Sequence, residues 1–143
     1  MKKCQWQFIL AVVFLLGLSG LAGATVTCSS GTIPVVVVNN DSNRVFGALI
    51  DRTGSGAYNF IVSPGATVIP IPLLGTSSSR FIQGNLYDVF QSSSAVKISG
   101  TCSTTVYLGY GCPTSPVAQM TISHDLATNQ WSCTLSRLRS GGD

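Results

Sequence analysis

Acid–base chemistry near neutral pH most often uses histidine, and the chain holds one, His124, followed directly by Asp125. Hydrolysis by a nucleophile needs that base oriented by a carboxylate and within reach of a hydroxyl or thiol. Neighbouring residues on a strand point to opposite faces, so His124 and Asp125 are not expected to pair directly. No Gly-x-Ser-x-Gly elbow occurs, because Thr53-Gly54-Ser55-Gly56 misses the spacing. Asp51-Arg52-Thr53-Gly54 carries the letters of an aspartic-protease Asp-Thr-Gly with Arg52 inserted, and no second copy exists to share a proton. Glycoside hydrolysis needs two carboxyls across the scissile bond. The chain has five Asp and no Glu, and only Asp51 and Asp88 invite the idea of convergence. These residues predict a structural His124, no catalytic group and no cofactor; the protein is not expected to be an enzyme.

Cysteine is the other reactive type. Of five, Cys4 lies in the N-terminal apolar region, leaving Cys28, Cys102, Cys112 and Cys133. An even set in a small exported domain reads as two disulfides, and four cysteines allow three connectivities. The preferred expectation is Cys102–Cys112, closing a local loop, with Cys28–Cys133 tying the ends; the long bridge would add about 4–5 kcal/mol by loop entropy. A metal site is the competing reading. The spacing contains no Cys-x2-Cys pair and only one His is available, so no metal is expected.

Gly109-Tyr110-Gly111-Cys112-Pro113 is the most idiosyncratic stretch. Its ordinary reading is a strand end with a bulge, a bridge and a turn. The functional reading is a binding loop, with Gly109, Tyr110, Gly111 and Pro113 held out by the disulfide. Trp131 is expected to plug the core beside Cys133, while Tyr58, Tyr87 and Tyr107 fit either core or a surface aromatic patch.

The N-terminus supplies the compartment. Met1-Lys2-Lys3 is a positive start, Phe8 to Leu18 an apolar run, and Leu21-Ala22-Gly23-Ala24 a small-residue exit. This is the pattern of a cleaved, helical secretory signal over 1–24, and its apolar run is short for a membrane span. Ala24 stands where a lipid-modified exit needs Cys, so the chain is not read as a lipoprotein. The signal's style is bacterial. Residues 25–143 then form one secreted or periplasmic domain with no further membrane span.

Charge is sparse in that domain. The whole chain carries a formal +3, of which Lys2 and Lys3 leave with the signal. No basic stripe for nucleic acid or anionic membranes remains. The surface is left to Ser, Thr, Asn, Gln and Gly, residues of strands and turns.

Periodicity agrees. Strand signals run over Ile33–Val38, Arg44–Asp51, Ala57–Val62, Thr67–Leu74, Arg80–Ile82, Leu86–Gln91, Ala95–Ser99, Thr104–Tyr110, Val117–Ser123 and Trp131–Leu135, with turn residues between them. Gly84-Asn85 reads as a break, and His124–Gln130 as the polar connection of a last hairpin. Pro70 and Pro72 cannot donate to a ladder, which places Thr67–Leu74 at an edge or in a crossover. The expected fold is all-β: a small antiparallel β-sandwich, or a barrel-like Greek key, stapled by disulfides.

The functional expectation is an exported non-catalytic binding or surface-structural module for an unknown protein or glycan ligand. Self-assembly through a strand edge at Val35–Val38 is a further expectation. The alternative is an inhibitor or interaction protein presenting loop 109–116 to a protein target, and a small secreted hydrolase is the third class weighed.

Overall fold

The computed structural model describes residues 31–87, 98–108 and 112–138. The expected signal 1–24, Cys28, Asp88, and Gly109, Tyr110 and Gly111 of the candidate loop lie outside the described residues.

The Val-rich run forms β1 (Thr32–Asn39), in which Ile33, Val35, Val37 and Asn39 turn inward and the alternate residues are half-buried or exposed. A strand this apolar on both faces suits a central position, and β1 lies between β4 (Gly65–Pro72) and β7 (Ala118–Asp125). Both of its edges are thus occupied, and Val35–Val38 offers no edge for self-assembly. Beside β7 runs β8 (Gln130–Arg137), completing a sheet of order β4-β1-β7-β8. The second sheet, of order β3-β2-β5-β6, comprises β2 (Val45–Asp51), β3 (Ala57–Val62), β5 (Ser79–Tyr87) and β6 (Ile98–Tyr107). Inward residues of both sheets, among them Val37, Leu49, Ile71, Ile82, Met120 and Ile122, join one apolar core. No helix occurs among the described residues.

Not every pair is antiparallel, because β1 and β7 run parallel, Val35 opposite Ala118 through Asn39 opposite Ile122. Most of the described chain separates these two strands, so no hairpin dictates their direction.

β4 is an edge strand, as its prolines predict. Register puts Pro70 opposite Pro34 and Pro72 opposite Thr32. A proline has no N–H to give, so these are pairs whose backbone groups turn away from each other. On the β1 side, the Pro34 carbonyl accepts from Val117 N at 2.9 Å. On the β4 side, Pro70 and Pro72 delete two donors from the free edge.

Two expected breaks are absent. Gly84-Asn85 lies inside the continuous strand β5. A Cβ on Gly84 would meet the Met120 sulfur at 2.8 Å and the Cys102 sulfur at 3.2 Å. Glycine is there for close approach of the two sheets, not for a turn. Likewise Ala95–Ser99 and Thr104–Tyr110 do not form separate strands over their described parts, since β6 runs unbroken from Ile98 to Tyr107.

The disulfide pairing corrects the expectation. Cys102 of β6 bonds Cys133 of β8, their Cα atoms 5.7 Å apart. Neither Cys102–Cys112 nor Cys28–Cys133 is therefore formed. Cys102 faces inward in mid-strand, where the first thiol it meets belongs to the outermost strand of the opposite sheet. The bridge joins the outer strands of the two sheets. Cys112 is also disulfide-bonded, to a partner outside the described residues.

Candidate functional site

His124 sits near the end of β7, in register with Trp131 of β8. The two rings stack, with centroids 4.1 Å apart and planes within 2°. The hairpin turn beyond is shorter than the sequence suggests, because His124, Asp125 and Gln130 all belong to strands. Asp125 holds this turn: one carboxylate oxygen accepts from Ala127 N at 2.9 Å and the other from the Thr128 hydroxyl at 2.9 Å. The Thr128 hydroxyl and then the Ala127 amide keep its carboxyl below the ordinary carboxylate range. Asn129 closes the turn at φ 52°, a left-handed conformation that Asn tolerates well.

The carboxylate that does reach His124 is Asp41, 83 residues away, whose Oδ2 lies 3.0 Å from Nδ1. Asp41 belongs to the turn between β1 and β2, which is built from successive side-chain-to-backbone bonds. Asp41 N donates to Asn39 Oδ1 at 3.0 Å, and Asn43 N donates to Asp41 Oδ1 at 2.7 Å. Asn39 is 2 % exposed, and its amide nitrogen donates to the carbonyls of Asn43 and Val62. The backbone amide of Asn43 foremost, with its side chain and His124 adding to it, holds the Asp41 carboxyl below the usual range against the effect of burial. On the other side of the ring, His124 Nε2 lies 2.9 Å from Asn129 Oδ1.

Both ring nitrogens of His124 thus have partners and one ring face is covered by Trp131. Its side chain is 11 % exposed and that of Asp41 6 %. An Asp–His pair is half of a hydrolytic triad, but here Asn129 occupies the nitrogen that would face a nucleophile. Asp41 is not legible in the sequence as a partner of His124, because its approach depends on the parallel β1–β7 pairing. The only local sign of it was the turn-forming run Asn39–Asn43 at the end of a strand.

Asp51 is the second buried carboxylate. Its Oδ2 lies 3.0 Å from Nη1 of Arg80, with side chains 0 % and 1 % exposed. The guanidinium also donates to the carbonyls of Leu74 at 2.5 Å and Gly75 at 2.6 Å. Asp51 Oδ1 accepts from Thr53 N at 3.0 Å. A Cβ on Gly54 would collide with the Leu74 carbonyl and with Arg80, so glycine lets the turn close over the pair. Arg80 reads in the sequence as one more scattered cation; nothing local marks it as interior.

Of the candidate loop, Cys112 is exposed and Pro113 half-buried. Its flanks are fixed, Leu108 N donating to Ser78 O at 2.8 Å and Val117 N to Pro34 O at 2.9 Å. Trp131 is half-buried against the core margin instead of plugging its centre. Tyr58 and Tyr107 are surface residues, and Tyr107 lies under the Arg137 guanidinium at 5.6 Å. On the outer face of the second sheet, Phe46 stands between Ile61 and Tyr87 in register.

Among the described residues no three His, Cys, Asp or Glu gather as a metal site would require. Among the same residues no helix is long and apolar enough to cross a membrane. No protein-family model matches the chain, and no curated protein matches it significantly.

Proposed function

We propose that the chain is an exported β-sandwich, stapled by disulfides, that works as a non-catalytic binding or surface-structural module. The observation that carries this reading is the state of His124: both nitrogens are bonded, to Asp41 and Asn129, and Trp131 stacks on the ring. The buried carboxylate Asp51 is matched by Arg80 in the same structural way. Export is argued from the signal pattern of 1–24, with Ala24 in place of a lipid-accepting Cys. A nearly neutral surface rich in Ser and Thr supports a protein or glycan ligand over a nucleic acid.

Binding is assigned to the outer face of the β3-β2-β5-β6 sheet, where Phe46 and Ile61 are exposed beside half-buried Tyr87, with half-buried Gln83 farther along the same face. The purified mature protein should bind members of a glycan or cell-surface protein array and turn over none of a panel of ester, peptide and glycoside substrates. Phe46→Ser should abolish that binding with the fold retained. Turnover that disappears in His124→Ala would overturn the reading.

A second reading is favoured by the loop's fixed flanks and by the disulfide at Cys112. In it, residues 109–116 are presented to a protein target. Tyr110→Ala then removes binding and Phe46→Ser does not.

A further inference from the structure

We infer that Asn40 is an acceptor for an N-linked glycan; this rests on the export reading above, taken through a secretory route that carries an oligosaccharyl transferase in place of the bacterial route that the signal's style suggests. Asn40-Asp41-Ser42 is the one Asn-x-Ser/Thr tripeptide in the chain. The β1–β2 turn contains three asparagines, and the fold treats them differently. Asn39 is buried and its amide is committed to the carbonyls of Asn43 and Val62. The Asn43 amide donates to Asp41 Oδ1 at 3.0 Å. Asn40 is exposed, and its side chain makes no hydrogen bond among the described residues. Its backbone is nevertheless held, Asn40 N donating to Ile122 O at 3.1 Å. Ser42 is exposed as well, with its hydroxyl unengaged among the described residues.

The asparagine left free and facing outward is therefore the one with a hydroxyl residue two positions on. Asn39 has Asp41 there and Asn43 has Val45. The intervening Asp41 commits its carboxylate to His124 and Asn43. A bulky, solubilising group at Asn40 would project from a turn without disturbing the core.

The donor is a lipid-diphosphate-linked oligosaccharide, used by an oligosaccharyl transferase of the secretory route. The Asn40 amide nitrogen forms a bond to the anomeric carbon, the bond from that carbon to the phosphate oxygen breaks, the amide gives up a proton and the lipid diphosphate leaves.

The test uses the full chain translated into transferase-bearing microsomes, with the same mature chain behind an unrelated cleavable signal run in parallel. The expected result is one discrete heavier product, returned to the bare mass by an amide-cleaving glycosidase. Asn40→Gln and Ser42→Ala should abolish it, and Ser42→Thr should retain it. The glycosylated protein should keep the Cys102–Cys133 bond and its protease resistance. Protein that is translocated and signal-cleaved yet carries no glycan overturns the inference. Failure of the native signal alone, with glycan added behind the unrelated signal, overturns the export reading and leaves this inference standing.

Discussion

Arg80 and Asp51 lie in the interior, where an unpaired charge is costly. Removing one partner should cost far more than removing both. Arg80→Leu is expected to lose about 3–5 kcal/mol in denaturant unfolding, while the double variant with Asp51→Leu should recover part of that loss. Equal losses in single and double variants would mean that the Leu74 and Gly75 carbonyls, not Asp51, are the partners that matter. At the other cluster, His124→Ala removes two hydrogen bonds and a ring stack, a loss of about 1–3 kcal/mol. The carboxyls of Asp41 and Asp125 sit below their ordinary value in the folded protein. A carboxylate with a lowered folded pKa stabilises fully above its unfolded value and loses that contribution as pH falls through the folded one. Stability should thus be level above about pH 4, the ordinary Asp range, and decline in stronger acid. Asp41→Asn should make the decline shallower, as read by thermal melting across pH. Neither cluster was legible in the chain, because each joins residues from separate strands or turns. The type of Arg80 argues for a surface and only its strand partners put it inside.

Among the elements, much could be read directly. β1, β2 and β3 follow from runs of Val, Ile and aromatic residues bounded by Asn, Gly and Pro, and the edge position of β4 follows from Pro70 and Pro72. The continuity of β5 and β6 could not, because Gly84-Asn85 reads as a break and residues 100–103 fall between two strand signals until the opposing sheet is seen. Gly84→Ala should lose about 1–3 kcal/mol through overpacking against the two sulfurs, in spite of alanine's better backbone entropy. The prolines of β4 act against association, since an edge with unpaired donors templates pairing with another chain. Pro70→Thr with Pro72→Thr restores two edge donors. Light scattering should then show concentration-dependent association where the unaltered protein shows none; an unchanged mass would place the protection elsewhere.

On the scale of the molecule, two sheets share one core and a disulfide fastens their outer strands. Cys102 and Cys133 are 31 residues apart, and closing that loop is worth about 3.5–4 kcal/mol in the chain-entropy view. Composition and cysteine count foretold that the domain is stapled; which thiols meet depends on the inward facing of both strands, which spacing does not encode. With Cys102 and Cys133 joined and Cys4 expected to leave with the signal, peptide mapping should find Cys112 bonded to Cys28. Export and oxidation are tested together by intact-mass and N-terminal analysis of the protein recovered, without reductant, from the extracytoplasmic fraction of its source cells. The expected result is an N-terminus at Thr25, no free thiol, and fragments crosslinked through Cys102 and Cys133. Recovery from the cytosol with Met1 retained and the thiols reduced would contradict both.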